Sequence, residues 1–477
     1  MLSPAPRSLR LFRHGFSALD RQGREVIRGI VIAGLLAGVT LATPAHARKK
    51  APPPPPAAPV IPQVNSGDAG VDAFYFYDRA GVPIWLRDDA GRQAASRVAE
   101  ILDRAAIDGL PQGPALAAAV RTAIAGGTLA DDAAISLAWL KYVRALKAPV
   151  SSFEYGDPAL KLEAPTAKET LSALFSAPSM LDRVNQVAAV NPLYSALRDE
   201  AAKEGSASDP RVRATLDRLR LIPATGRAIL VDVASAQLWM MENGQPVDNM
   251  KVVVGKTTSP TPLLAGTIHY VTFNPYWHIL DDVARRKVAP IVLKRGVAYL
   301  KAAKYDTVQS WSDPQPVDPK TIDWKAVAAG TDHVFIRQKP GVNNMMGAMK
   351  FSFENADDIF LHDTPHKELF AKDKRTLSLG CVRLEHASRL AQWLLGRDAA
   401  PPSDAPELHV QISEGVPVYL TYLTANVADG KLAFGNDVYG LDPAPAALAA
   451  AEPAKPSELA KPATSETASA TDVSPAH

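Results

Sequence analysis

The chain holds a single cysteine in 477 residues. That excludes an internal disulfide and any metal centre built from several thiolates. Charge of one sign is also lacking: 52 Lys and Arg stand against 50 Asp and Glu. The concentrated basic excess of a nucleic-acid binder is therefore absent. Long apolar runs are missing too. The stretch from Gly29 to Ala42 spans 14 residues, short of the roughly 20 that a membrane-crossing helix needs, and no later stretch is longer and apolar. What is present is a hydrophobic fraction of 47%, sufficient for ordinary cores. At about 100 to 200 residues per domain, the length predicts two or three domains.

The short apolar run has a context. Arg7, Arg10, Arg13, Arg21, Arg24 and Arg28 precede it, and Ala45-His46-Ala47 follows as a small-x-small cleavage site. Residues 1–47 read as an export signal. If the signal stays uncleaved, the same run is a membrane anchor. Either way, the rest of the chain is expected outside the cytoplasm, in a Gram-negative periplasm. A lone thiol there is exposed to oxidation and mixed disulfides, so Cys381 is either buried and inert or kept for a reaction.

The remaining chain divides by composition. Residues 48–66 form a linker whose Ala51–Pro62 stretch carries seven prolines and favours extended polyproline II. From residue 67 to 222 apolar residues recur at helical spacing, as in Ala95, Val98, Ala99 and Leu102, or Ile135, Ala138, Trp139 and Val143. Leu171–Val190 and Val212–Leu221 are predicted as further helices. From Ala228 the pattern turns to short β-branched runs. Glu242-Asn243-Gly244-Gln245 makes a hairpin turn between two of them. Residues 441–477, rich in Ala, Pro, Ser and Thr and without an aromatic residue, are expected to form a disordered tail. The fold class is thus α+β: a helical scaffold, then a mostly antiparallel β domain over 226–424. Its stretch 281–331 is expected to form a capping insertion, with a helix predicted over Val283–Tyr299.

Chemistry concentrates between Ile359 and Arg383. A predicted strand ends at His362, and Ser378-Leu379-Gly380-Cys381-Val382-Arg383 precedes a helix predicted over Leu384–Leu395. A helix start and a nearby cation such as Arg383 both lower a thiol's pKa. Gly380 allows a substrate carbonyl to approach the backbone, and amides at Gly380 and Cys381 can donate to an oxyanion. His362 is a plausible base.

The segments Phe360-Leu361-His362-Asp363-Thr364-Pro365 and Ser378–Arg383 resemble the active-site signature of L,D-transpeptidases with a YkuD-type catalytic domain. Val253-Val254-Gly255-Lys256 with Thr261-Pro262, Asn274-Pro275-Tyr276-Trp277, and Gln338–Gly341 with Asn344, Gly347 and Lys350-Phe351 extend the resemblance. The helical region resembles the scaffold of the large YcbB-like subgroup. The resemblance implies that Cys381 attacks the third residue of a peptidoglycan stem tetrapeptide and releases D-alanine. An amine of a second stem then resolves the thioester, forming a cross-link between third-position residues. It implies His362 as general base, oriented by the backbone carbonyl of Asp363, with Gly380 as oxyanion amide. Arg383, Ser378, Trp277 and Asn344 are implied as substrate-binding residues. No metal and no cofactor are expected; peptidoglycan stem peptides and other cell-wall enzymes are the expected partners, with no nucleic acid. Acylation by carbapenems is a further implication.

Three departures stand out. Leu379 replaces the His that many members carry before Gly-Cys. His278-Ile279-Leu280-Asp281-Asp282 follows Trp277 in place of a Pro/Ser-rich run. Too little chain lies between Val150 and Pro192 for a peptidoglycan-binding module. Other readings use the same residues: a carboxypeptidase with water as acceptor, a transferase onto a lipoprotein lysine, or a catalytically silent wall-binding protein. His362 and His366, four apart, are separated by Pro365, which argues against a helical metal site.

Overall fold

The computed structural model describes residues 81–443, together with Ala69 and Tyr77. The expected export signal (1–47), the proline-rich linker (48–66) and residues 444–477 of the expected tail lie outside the described residues.

Among the described residues seven α-helices build the first part: α1 (Asp89–Asp103), α2 (Gly113–Gly126), α3 (Leu129–Leu146), α4 (Ala167–Phe175), α5 (Met180–Ala189), α6 (Pro192–Lys203) and α7 (Pro210–Leu219). Their starts are written in the sequence. Asp88 accepts from the Gly91 amide, and Thr128 and Asp131 form a capping box. The expected single helix over Leu171–Val190 is two helices. Pro178 lies between them, where its missing N–H and fixed φ break the ladder. Asp132 is fully buried and accepts from the amides of Ile84, Trp85 and Leu86. It ties the segment entering α1 to α3.

The scaffold is not purely helical. β1 (Glu154–Tyr155) runs beside Leu264–Ala265 in parallel register and joins the catalytic sheet. The other strands of that sheet begin with β2 (Arg227–Asp232), β3 (Gln237–Glu242), β4 (Gln245–Gly255) and β5 (Leu264–Phe273). At the turn between β3 and β4, Asn243 and Gly244 have φ of 51° and 73°, the left-handed pair an Asn-Gly hairpin requires.

The expected insertion forms a compact cap. The cap extends beyond 281–331 on both sides: it includes β6 (Trp277–His278), β7 (Tyr305–Val308) and β8 (Phe335–Gln338), paired in the order β6-β8-β7. A helical stretch runs as α8 (Asp281–Val283), a π-turn over Ala284–Val288, and α9 (Ala289–Arg295). Short helices α10 (Ala298–Ala302) and α11 (Trp324–Ala329) follow. The cap has its own core, with Val283, Val288, Val292, Trp324 and Ile336 among its buried residues, separate from the main core.

Beyond the cap come β9 (Met349–Ser352), β10 (Phe360–His362), β11 (Thr376–Ser378), β12 (Val382–Leu384), α12 (Ala387–Leu395), β13 (Leu408–Thr421), β14 (Ala425–Ala428) and β15 (Lys431–Phe434). The large sheet runs β1-β5-β13-β2-β3-β4-β12-β10-β9, and β9 also pairs with β5. The sheet therefore closes on itself. Most pairings are antiparallel, but β10–β12, β13–β2, β11–β4 and β1–β5 are parallel. One continuous core joins Trp139 and Leu216 of the scaffold to Ile229, Val252, Leu361 and Leu420 of the barrel.

Two sequence expectations need correction. No helix starts beside Cys381: β12 follows it at once, and α12 begins only at Ala387. Val382, Arg383 and Leu384 alternate buried, half-buried, buried, which is the period of a strand. The first residues of the expected tail, 441 and 442, are also held in place. Leu441 and Asp442 accept hydrogen bonds from the Arg218 guanidinium at 2.9 and 3.3 Å.

Candidate active site

β9, β10 and β12 lie side by side, and their register decides what the site contains. His362 stands opposite Lys350 on β9 and Arg383 on β12; Leu361 stands opposite Phe351 and Val382. Successive side chains point to opposite faces. Phe351, Leu361 and Val382 are wholly buried in the core. Lys350, Ser352, Phe360, His362, Cys381 and Arg383 all line one cavity of about 790 Å³ on the other face. The cap supplies the facing wall, from Tyr276 to Asp281 with Trp311 and Phe335. There His278 packs against Trp311 at 4.6 Å between ring centroids, and Trp311 meets Phe335 edge-on at 5.0 Å. His278 thus sits in the cavity wall.

Cys381 closes a tight turn after β11. Gly380 has φ of 124°, a conformation that side-chain-bearing residues rarely adopt. Ser378 Oγ donates to the Cys381 carbonyl at 2.6 Å and accepts from the Gly380 amide at 3.2 Å. The Gly380 amide, expected to face an oxyanion, is therefore engaged within the turn and reaches a substrate only if that bond opens. Ser378 is buried and bonds the turn itself, although it borders the cavity. The thiol points at the Asp358 carbonyl, 3.7 Å away. Burial pushes the thiol pKa up, against the opposing pull of the Phe360 amide, Lys350 and Arg383.

His362 is 3% exposed. Its Nδ1 lies 2.5 Å from the Asp363 carbonyl. A carbonyl only accepts, so Nδ1 carries the proton and Nε2 holds a free lone pair. Burial, then the Arg383 charge, hold its pKa at about 3, with Lys350 adding to the effect. The Asp363 backbone is itself fixed: its amide donates to the Met349 carbonyl at 2.9 Å, and its carboxylate accepts from Ala348 N–H and from Lys367 Nζ. At neutral pH the site thus rests as neutral thiol and neutral imidazole.

Arg383 lines the cavity, makes no ion pair among the described residues, and has a buried Nε without a partner. Trp277 borders the cavity and packs against the cap core. Asn344 is a correction. It is buried, and its Nδ2 donates to the carbonyls of Pro275, Gln338 and Lys339 while its Oδ1 accepts from Met346 N–H. All its hydrogen-bonding capacity fastens the loop before β9, and none faces the cavity. Sequence reasoning missed Lys350 as a site group. Its Nζ sits 5.1 Å above the Phe360 ring. The alternation of apolar Met349, Phe351 and Phe353 with Lys350 and Ser352 was the signal that put it on the site face. It also missed Asp358, with Glu354 and Asp357 beside it on the cavity wall. Among the described residues no three His, Cys, Asp or Glu side chains are grouped to hold a metal ion.

The chain is similar to known L,D-transpeptidases. The YkuD family model, the L,D-transpeptidase catalytic domain, matches residues 226–420, and a scaffold-domain model matches residues 70–200. The chain carries a YkuD-type L,D-transpeptidase catalytic domain behind a scaffold domain, a YcbB-like architecture. A Haemophilus influenzae protein named "Putative L,D-transpeptidase" is 26% identical over 390 residues, covering 77% of each chain. An L,D-transpeptidase from Mycobacterium smegmatis is similar at 12% identity over 41% of this chain and 59% of its own, with a TM-score of 0.22. An Enterococcus faecium L,D-transpeptidase is similar at 13% identity over 42% of this chain and 51% of its own, also with a TM-score of 0.22. The matched region thus spans between half and three fifths of these two solved structures.

Proposed function

We propose that this chain is an exported peptidoglycan L,D-transpeptidase in which Cys381 is the nucleophile. The observation that carries the reading is the shared face of β10 and β12. It brings a thiol and an imidazole with a fixed tautomer into one cavity, under an unpaired Arg383.

The chemistry follows from the protonation states. The Cys381 sulfur attacks the carbonyl of the third residue of a donor tetrapeptide, and its proton passes to Nε2 of His362. The amide of Cys381 donates to the oxyanion, joined by that of Gly380 once Ser378 releases it. The tetrahedral species collapses, the bond to the terminal D-alanine breaks, and its nitrogen takes the proton from His362. A thioester remains on Cys381. An acceptor amine attacks it, gives its proton to His362, and the thiol reforms as the cross-linked product leaves.

The resting imidazole is a weak base because burial first, and then the charges of Arg383 and Lys350, oppose its protonation. Donor carboxylates meeting those two cations relieve the opposition and raise its basicity when substrate is bound. Glu354, Asp357 and Asp358, which also line the cavity, suit the ammonium group of an acceptor stem. The basic leader and the short apolar run support export to the periplasm, with a role in cell-wall organisation. No helix among the described residues is long and apolar enough to cross a membrane.

Incubating the protein with disaccharide-tetrapeptides tests this. Mass spectrometry should find dimeric muropeptides joined through third-position residues, and none with Cys381→Ala. Tripeptide monomer alone would replace the reading with an L,D-carboxypeptidase. Transfer to a lysine peptide in preference to a stem would replace it with lipoprotein attachment. No turnover with an unreactive Cys381 would favour a silent wall-binding protein.

A further inference from the structure

Residues beyond the matched catalytic domain reach its oxyanion turn. After β15 the chain crosses the barrel as a strap, residues 435–442. Tyr422 Oη donates to Asp437 at 2.7 Å and accepts from the Tyr439 amide at 2.8 Å. The two rings stack with centroids 5.8 Å apart. Tyr439 Oη then donates to the Gly255 carbonyl and accepts from the Thr261 amide at 3.4 Å. Thr261 is buried. Its Oγ1 accepts from the Gly255 amide at 2.9 Å and donates to the Gly380 carbonyl at 2.6 Å. A chain of hydrogen bonds therefore runs from the strap to the peptide group just before Cys381.

That last bond has a directional consequence. The Gly380 carbonyl and the Cys381 amide belong to one planar trans peptide, so they point in opposite directions. Anchoring the carbonyl on Thr261 fixes the aim of the Cys381 N–H. The neighbouring Gly380 amide is occupied by Ser378 Oγ, which leaves the Cys381 amide as the oxyanion donor whose orientation matters most. Gly380, at φ 124°, has the conformational freedom to let this plane rotate if the anchor is lost.

We infer that Thr261 and Tyr439 are positioning residues for acyl transfer: through the Gly380 carbonyl they hold the Cys381 amide in its oxyanion-binding direction. Neither touches the reacting atoms. The inference rests on Cys381 being the acylated nucleophile, and its test separates the two.

Two reactions of the same thiol discriminate. Acylation by a carbonyl compound passes through an oxyanion; alkylation by iodoacetamide does not. Acylation by a carbapenem and alkylation are followed by intact-protein mass spectrometry in wild type and in Tyr439→Phe, Thr261→Val and Thr261→Ser. Outright loss of an oxyanion donor lowers rates by roughly 10² to 10³, so misdirecting one should slow acylation about 10-fold in Tyr439→Phe and more in Thr261→Val. Alkylation should be unchanged in both, and Thr261→Ser, which keeps the hydroxyl, should acylate like wild type. Equal acylation in all four proteins overturns the positioning role. So does a parallel fall of acylation and alkylation, which marks a general disturbance of the thiol. A wild-type protein that is alkylated but never acylated removes the underlying reading of Cys381 instead.

Discussion

Cys381 gains little from the features that usually make a thiol acidic. No helix points its N-terminus at the sulfur, and burial raises its pKa. His362 is displaced in the complementary direction, to about 3. In the proposed reaction the pair starts as neutral acid and neutral base, and proton transfer accompanies attack. His362→Ala is therefore expected to slow acylation of Cys381 by roughly 10²-fold or more, in line with general-base losses; an unchanged rate would assign the base elsewhere. A second consequence concerns stability. Unfolded His362 binds a proton near pH 6.5, the folded residue only near about 3. Between those values the unfolded state holds the extra proton, so stability is lost as pH falls from 6.5 toward 3. His362→Gln, which does not titrate, should lose less stability over that window, as read by thermal melts across pH. Identical pH slopes would contradict the depressed pKa. Asn344 makes the opposite kind of prediction. Its amide satisfies three carbonyls, so Asn344→Ala should cost about 1–3 kcal/mol of stability while folded molecules still acylate. The thiol, the histidine and the arginine were legible in the sequence because each sits in a short motif. For Lys350 the local alternation marks only the face it occupies; that this face is the one His362 shares comes from strand register, a long-range relation.

The elements show the same division. The Asn243-Gly244 hairpin was readable because a turn is decided by its own residues. The segment after Cys381 was misread because Val382–Leu384 is short and runs into a true helix at Ala387, so its alternation was absorbed into the helical pattern. The parallel pairings β10–β12 and β13–β2 join strands distant in sequence and left no local trace, whereas the insertion was visible as a long interval between strands. Its separate core yields a prediction. Trp324 is buried within the cap alone, and removing such a ring costs about 3–5 kcal/mol. Trp324→Ala should open residues 277–338 to proteolysis while the barrel's melting temperature stays near that of wild type. Simultaneous loss of both would mean that cap and barrel share one cooperative unit.

For the whole molecule, scaffold and catalytic domain do not behave as beads on a string. A single core crosses their boundary. Arg218 of α7 donates to the Tyr422 carbonyl at 2.6 Å as well as to Leu441, and β1 lends the barrel a strand from within the scaffold. The helical and β halves were evident from composition; their interlocking was not, because it depends on contacts between residues far apart in the chain, such as Arg218 with Tyr422 and β1 with β5. A fragment limited to residues 226–424 lacks β1, Arg218 and the strap. It should melt well below the full chain or fail to fold, as calorimetry would show. Equal melting temperatures would refute the coupling.

The central claim is that Cys381 carries the acyl group. The full-length protein is mixed with a disaccharide-tetrapeptide, quenched in acid within seconds, and peptide-mapped by mass spectrometry beside Cys381→Ala. The account predicts a mass gain equal to the donor less D-alanine on the peptide containing Cys381, and none in the variant. An adduct on another residue, or D-alanine release by Cys381→Ala at the wild-type rate, would contradict it.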